Sequence, residues 1–423
     1  MTDKILFKDL KICDPNSSFH NKRVDLFVED GIIKQMGKDL NKRADEKVFK
    51  GGLAMPGFCD LYSDFSDPGF EHREDIESGA TVALSGGFTA VCTIPDTHPV
   101  VQSKSAVEYV INKAKGKGID IYPLGAVSED LKGSDPTEIY DMQKAGAVGF
   151  TDAPHAIKNS GLLLRALQYV QPFNGIVFDM STDESLSNNG HVNEGRYSVR
   201  MGIKGIPHIA EVIQIQRDIE ILRYTGGRLH IYGITSKEGV ALIKAAKKEG
   251  LQITASVFVH HLLFTDESAT AFDSNYKIQP PFRSKQDREA LKKGLLEGVI
   301  DCIAIQHTPV ETEGKKLEFE YATPGLIGLQ TAYAVITQAF EGKDVQKDIV
   351  RWLSQEPRKI IGAQQPIIDV KQSANFTIVD PKGKWLYKAD SNHSKSMNSP
   401  LLGKELIGKV LATYHQGKLT QHD

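Results

Sequence analysis

The chain has 423 residues, 40% of them hydrophobic and 25% charged, a balance that excludes disordered and fibrous classes and leaves ample core for two or three domains. With 51 basic against 54 acidic residues the net charge is −3, which excludes a broad basic surface for nucleic acid. The four cysteines, Cys13, Cys59, Cys92 and Cys302, lie far apart without CxxC spacing, so neither a zinc ribbon nor a disulfide framework is supported, while thirteen histidines leave room for a metal site.

Met1-Thr2-Asp3-Lys4-Ile5 shows no basic start followed by an apolar leader, and no apolar run approaches the ~18 residues of a membrane helix. The expectation is a cytoplasmic protein with no membrane partner. Residues 4 to 54 read as β structure. Ile5-Leu6-Phe7 and Leu10-Lys11-Ile12 are short apolar runs, and Val24–Val28 passes through Asp30-Gly31 into Ile32-Ile33, a hairpin signal. The middle alternates strand and helix. Candidate strands are 57–61, 89–94, 119–126, 147–152, 175–180, 228–234, 252–259 and 302–307, mostly short and apolar as in sheets buried on both faces. Helical patterns include Ser105–Ala114, Asp135–Ala145 and Ser236–Glu249, the last followed by a Gly250 stop. Gly86-Gly87 precedes a strand and reads as a helix stop. Lys113, Lys115 and Lys117 read as a solvated helix end. Near the C-terminus Phe376–Asp380 and Val410–Tyr414 return to β texture, with a turn at Gln416-Gly417.

Eight strand–helix units predict an α/β fold, a (β/α)₈ TIM barrel over residues 55–365. A small β-sandwich domain is then built from both termini, residues 1–54 and 366–423. A doubly wound open sheet is the runner-up. In a barrel, function sits at the C-terminal strand ends. That directs attention to 60–66, 95–99, 152–155, 178–183, 232–235, 258–261 and 306–310.

Along these stretches the sequence resembles the dihydroorotases of the cyclic amidohydrolase group, in particular the type found in multifunctional pyrimidine-synthesis assemblies. The resemblance runs through Pro56–Leu61, Asp67–Gly79, Gly86–Thr89, Asn193-Glu194-Gly195, Thr225–Ile231, His260–Leu263, Pro280–Ser284 and Asn398-Ser399-Pro400. It implies an amidohydrolase barrel with a small β-domain, and a zinc centre that activates water while an aspartate shuttles the proton.

The site positions implied by the resemblance are altered. The His-x-His pair falls on Tyr62 and Asp64, and the substrate arginine on Ser66, which removes a bidentate carboxylate fork. The substrate asparagine is Asp96, which would repel a carboxylate substrate. The fourth-strand ligand aspartate is retained as Asp152, but the fifth-strand histidine falls on Phe178 or its neighbour Asp179, and the sixth-strand histidine on Gly233. The asparagine before Pro-Pro is Gln279. The catalytic aspartate is Gln306, which cannot take up a proton in that role, beside a retained His307. No catalytic residue is assigned, and Tyr62, Asp64, Ser66, Asp96, Asp152, Phe178, Gly233, Gln279 and His307 read as a vestigial pocket around Gln306. No zinc or other metal cofactor is expected.

Asp152 reads as a relic or polar-network member, His260-His261 as packing residues on opposite strand faces, and His98 as a loop residue. His230 is expected to face away from the ligand side of its strand. Asp64, Asp96, Asp152, Asp179 and Asp183 would form an oxygen-rich magnesium or calcium pocket only if the fold gathered them. Three functions follow. The first is a non-catalytic dihydroorotase-like protein of pyrimidine biosynthesis that partners aspartate carbamoyltransferase and forms a homo-oligomer, by family analogy a dimer. The second is an active dihydroorotase with a carboxylate-rich site. The third is an amidohydrolase of changed specificity, or a small-molecule sensor, using the old pocket.

Overall fold

The computed structural model describes residues 4–41 and 47–422. The Met1–Asp3 part of the start discussed above lies outside them. Both chain ends build one sheet. Its order is Lys418–Gln421, Glu405–His415, Phe376–Leu386, Leu53–Pro56, Lys4–Ile12, Arg23–Glu29 and Ile32–Gly37, with Lys47–Lys50 also pairing Lys4–Ile12. The Asp30-Gly31 hairpin forms, pairing Val28 with Ile33. The core of this sheet is aromatic: Phe7 meets Phe376 edge-on at 5.1 Å, and Phe376 stacks on Tyr414 at 5.5 Å.

Seven further strands form a barrel, while Val192–Asn193 and Gly205–Ile206 pair separately. Phe58–Ser63 pairs Phe88–Thr93, which pairs Asp120–Pro123, and a second run joins Val177–Met180, Leu229–Tyr232, Ile253–Phe258 and Cys302–Ala304, all parallel. The predicted fourth strand contracts to a single bridging residue. Phe150 bridges Gly125 on one side and Val177 on the other. The ladder still continues through it, with the Gly125 N–H donating to Gly149 O at 3.0 Å and the Phe150 N–H to Ile176 O at 3.1 Å. The ring closes where Ser63 bridges His307. Asp60 pins that seam by accepting the Ile305 N–H at 2.8 Å and the Ser63 hydroxyl at 2.6 Å.

The predicted helices are present with shifted ends. Lys104–Ala114 is capped by Ser103, and Lys237–Lys248 by Ser236. The helix expected from Asp135 begins at Ile139, because the Thr137 N–H is bound to Val127 O at 3.0 Å and its hydroxyl to Ala126 O at 2.6 Å. Lys113 and Lys115 are exposed, as expected of a solvated helix end, and Lys113 also reaches the fully buried Asp67 carboxylate at 2.8 Å. Lys117 is partly exposed, 3.1 Å from Glu77. All four cysteines are free and buried. Among the described residues no helix is long and apolar enough to cross a membrane.

The N-terminal end of the barrel is sealed by Arg358, a buried side chain that no motif signalled. It donates to Gly57 O at 2.6 Å and Thr89 Oγ1 at 2.9 Å, tying a C-terminal helix to the first two strands. The barrel interior above it is aromatic. Tyr62 packs edge-on to Tyr232 and to Phe258, each at 5.3 Å, and Phe178 stacks on Tyr232 at 5.0 Å.

Candidate active site

A cavity of about 700 Å³ opens at the C-terminal strand ends, where barrel function is expected. Of the predicted site residues, Tyr62, Asp64, Asp96, Gln279 and Gln306 line it. Asp64 leaves the end of the first strand and accepts the Ser66 N–H at 2.6 Å and its hydroxyl at 3.1 Å, both on Oδ1. Burial, then the nearby Asp96 carboxylate, push Asp64 up to about 7. Asp96 is raised as well, chiefly by burial, with His155 and Arg73 pulling the other way. Burial, reinforced by Asp64, holds the Tyr62 phenol well above its ordinary value. Gln306, in the left-handed backbone region at φ 55, donates through Nε2 to Gln279 O at 2.7 Å.

The other predicted members are not on the cavity wall. Ser66 turns back to Asp64. Asp152 accepts the Val127 and Ser128 N–H groups, each at 2.9 Å, and the Ser128 hydroxyl at 2.6 Å, so its carboxylate is consumed in fixing a strand-end loop. Phe178 is buried in the barrel interior against Tyr232. Gly233 lies at φ 61, and a Cβ there would come within 2.1 Å of the Phe258 ring. His307 is fully buried, its Nε2 3.4 Å from Glu74 Oε2 and its Nδ1 accepting the Gly328 N–H at 3.2 Å.

Further histidines and carboxylates are also placed. His230 does not turn away from the interior: it contacts the rings of Phe178 and Tyr232 and is bonded to Thr254 and Ser256 at 2.8 and 3.0 Å. Strand alternation does not extend to Gly233, because the regular strand stops one residue earlier at Tyr232. His260 and His261 lie in a 3₁₀ turn, Val259–Leu262, and not on a strand. One stacks on Phe264 and the other bonds Pro280 O at 3.2 Å. Asp179 faces Ile157 N, Met180 N, Gln214 and Arg217, and Asp183 caps a short helix. The five aspartates are therefore not gathered, and only Asp64 and Asp96 reach the cavity.

Sequence reasoning did not assign the remaining charged wall. Arg73, held by Glu311 at 2.6 Å, sits inside the motif 67–79 and was readable as a charge in a site loop. His155, noted only as following Asp152, is bonded to Glu184 at 3.0 Å, which raises its affinity for a proton. Lys277 donates to Glu320 O at 2.6 Å, and burial draws it down to about 8. No local signal marks Lys277, since the loop that carries it is placed by tertiary packing.

Comparisons with known proteins agree with this architecture. Residues 51–239 match the family model described as dihydro-orotase-like. The chain is 38% identical to a dihydroorotase of Caldicellulosiruptor saccharolyticus, covering 99% of each chain. It is 37% identical to a dihydroorotase of Acetivibrio thermocellus, covering 98% of each. The chain belongs to the dihydroorotase family. Among solved structures it is similar in fold to the L-hydantoinase (dihydropyrimidinase) of Arthrobacter aurescens, with a TM-score of 0.86 at 22% identity over 100% of this chain and 96% of that one. A D-hydantoinase from a Thermus species gives 0.82 at 20% identity, covering 99% and 95%. These likenesses establish the amidohydrolase barrel with its appended sheet domain.

A dihydroorotase zinc centre needs histidine nitrogens and a carboxylate converging at about 2.0–2.2 Å from one point. The residues present do not fit that group. At the ligand positions, Tyr62 and Phe178 are locked in aromatic packing, Gly233 has its side-chain space filled by Phe258, and Asp152 is turned away onto backbone N–H groups. Among the described residues no three His, Cys, Asp or Glu side chains are grouped so as to hold a metal ion. The position of the proton shuttle carries an amide.

Proposed function

We propose that this member of the dihydroorotase family is non-catalytic. It serves pyrimidine biosynthesis from the cytoplasm as a structural partner of aspartate carbamoyltransferase, and it is itself a homo-oligomer, by family analogy a dimer. One observation carries the reading: full-length kinship is kept while the interior at the zinc positions has been rebuilt as an apolar stack of Tyr62, Phe178, Tyr232 and Phe258. An interior that is close-packed in this way is maintained for folding, since each aromatic contact contributes to stability. A barrel whose shape is kept and whose chemistry is removed retains its outer surface as the useful part. The test is to co-express the chain with the carbamoyltransferase of the same organism and measure co-elution, mass and transferase activity. A stable complex with altered transferase assembly supports the reading, and a transferase fully assembled and active without this chain refutes it.

A second reading, turnover by a carboxylate-rich site, is favoured by Asp64, whose proton affinity sits near neutrality on the cavity wall. It predicts measurable dihydroorotate hydrolysis that is lost in Asp64→Asn.

A further inference from the structure

The cavity has an electrostatic character unlike that of a site for dicarboxylates. Its described wall carries four carboxylates, from Asp64, Asp96, Glu184 and Glu320, against the cations of Arg73 and Lys277. Both cations have partners: Arg73 is paired with Glu311 at 2.6 Å, and Lys277 donates to a backbone carbonyl at 2.6 Å. Glu184 is likewise paired, with His155 at 3.0 Å and Lys158 at 2.6 Å.

What remains is a set of acceptors that take no hydrogen bond from the described residues. Asp64 is 8% exposed, and only its Oδ1 takes hydrogen bonds; Oδ2 takes none from the described residues. The Asp96 carboxylate takes none from them either. Tyr62 is 1% exposed and on the cavity wall, and its hydroxyl has no partner among the described residues. No described residue donates to the Oε1 of Gln306, whose Nε2 is used on Gln279 O. These side chains line the cavity, and a ligand that brings N–H donors to their oxygens gains charge-assisted hydrogen bonds there.

We propose that this cavity is a binding site for a small organic cation, an ammonium or amidinium group whose N–H donors are shared between Asp64, Asp96 and the hydroxyl of Tyr62. A positive ligand also relieves the repulsion between the two aspartates. Charge-assisted N–H to carboxylate bonds are the strong class, and an amidinium can make two in parallel. Carboxylate-bearing molecules such as carbamoyl aspartate and dihydroorotate meet the wrong sign of charge at the same place. The inference stands on the cavity alone and is independent of the carbamoyltransferase reading.

The test uses the full chain and thermal unfolding, followed by calorimetry, with agmatine and butylammonium as probes. Carbamoyl aspartate, magnesium chloride and sodium chloride of matched ionic strength are the comparisons. The expected result is a saturable rise in midpoint with agmatine at concentrations on the order of 10 mM or below. Asp64→Asn and Asp96→Asn are expected to weaken agmatine binding by about tenfold or more each. Tyr62→Phe keeps the ring packing and is expected to weaken binding by about threefold. Near-UV circular dichroism of each unliganded variant checks that the fold is kept, and Tyr62→Phe serves if an aspartate variant fails that check. The proposal is overturned if neither amine gives a saturable shift, if the shift is unchanged in all three variants, or if carbamoyl aspartate or magnesium binds more tightly than agmatine.

Discussion

Restoring a histidine at position 233 is expected to damage the fold, because the space for it no longer exists. Gly233 lies at φ 61, and a Cβ would sit 2.1, 2.6 and 2.8 Å from three ring carbons of Phe258. That ring is itself held edge-on to Tyr62 at 5.3 Å, so it has no free direction to yield. A non-glycine residue in the left-handed region costs roughly 1–2 kcal/mol. Overpacking a filled interior costs typically about 1–3 kcal/mol. Gly233→His is therefore expected to lose about 2–4 kcal/mol in urea unfolding, and Gly233→Ala nearly as much, since the clash begins at Cβ. In a Phe258→Leu background the ring edge is gone, and the cost of Gly233→His is expected to fall by about 1 kcal/mol or more. A Gly233→His variant within about 0.5 kcal/mol of the parent, or a cost unchanged by Phe258→Leu, would refute the claim that aromatic packing has replaced the ligand position.

Three further outcomes follow from buried polar groups. Asp64 binds its proton more tightly folded than unfolded, so the folded state loses stability as pH rises from about 4 to about 7. Asp64→Asn is expected to match the parent near pH 4 and to exceed it by roughly 2–4 kcal/mol near pH 8, read from denaturant midpoints. Burial draws His230 down to about 3, so the stability it confers is complete above about pH 6.5 and is lost as pH falls toward its folded value. His230→Gln should flatten the slope of stability against pH by about 1 kcal/mol per pH unit between about pH 6 and 4, and an unchanged slope would count against the assignment. Arg358→Met leaves the Thr89 hydroxyl and the Gly57 carbonyl short of a buried donor at the barrel base, and a loss of about 2–4 kcal/mol is expected in thermal or urea unfolding. An Arg358→Met variant as stable as the parent would show that the barrel closes without it.

The barrel was legible because its strands are short apolar runs alternating with helical patterns, and the terminal sheet because Asp30-Gly31 and Gln416-Gly417 punctuate alternating segments. Strand 147–152 was legible in position but not in length, since how long a ladder runs depends on neighbours. At the site, residue identity alone showed that Tyr62, Gly233 and Gln306 depart from the histidines and aspartate that the resemblance implies there. Orientation was not legible. Asp152 keeps the family residue yet turns to Ser128 and Val127, and His307 turns to Glu74, because polar groups of loops compete for those side chains. His230 was misread by strand parity, which fails once the strand ends. The Lys113–Asp67 pair was not legible, because its partners lie 46 residues apart.

The most direct test is metal content and dihydroorotate turnover measured on the same preparation, produced with zinc supplied. The account predicts no stoichiometric zinc and no hydrolysis or cyclisation above the uncatalysed rate. One tightly bound zinc per chain together with turnover would contradict it.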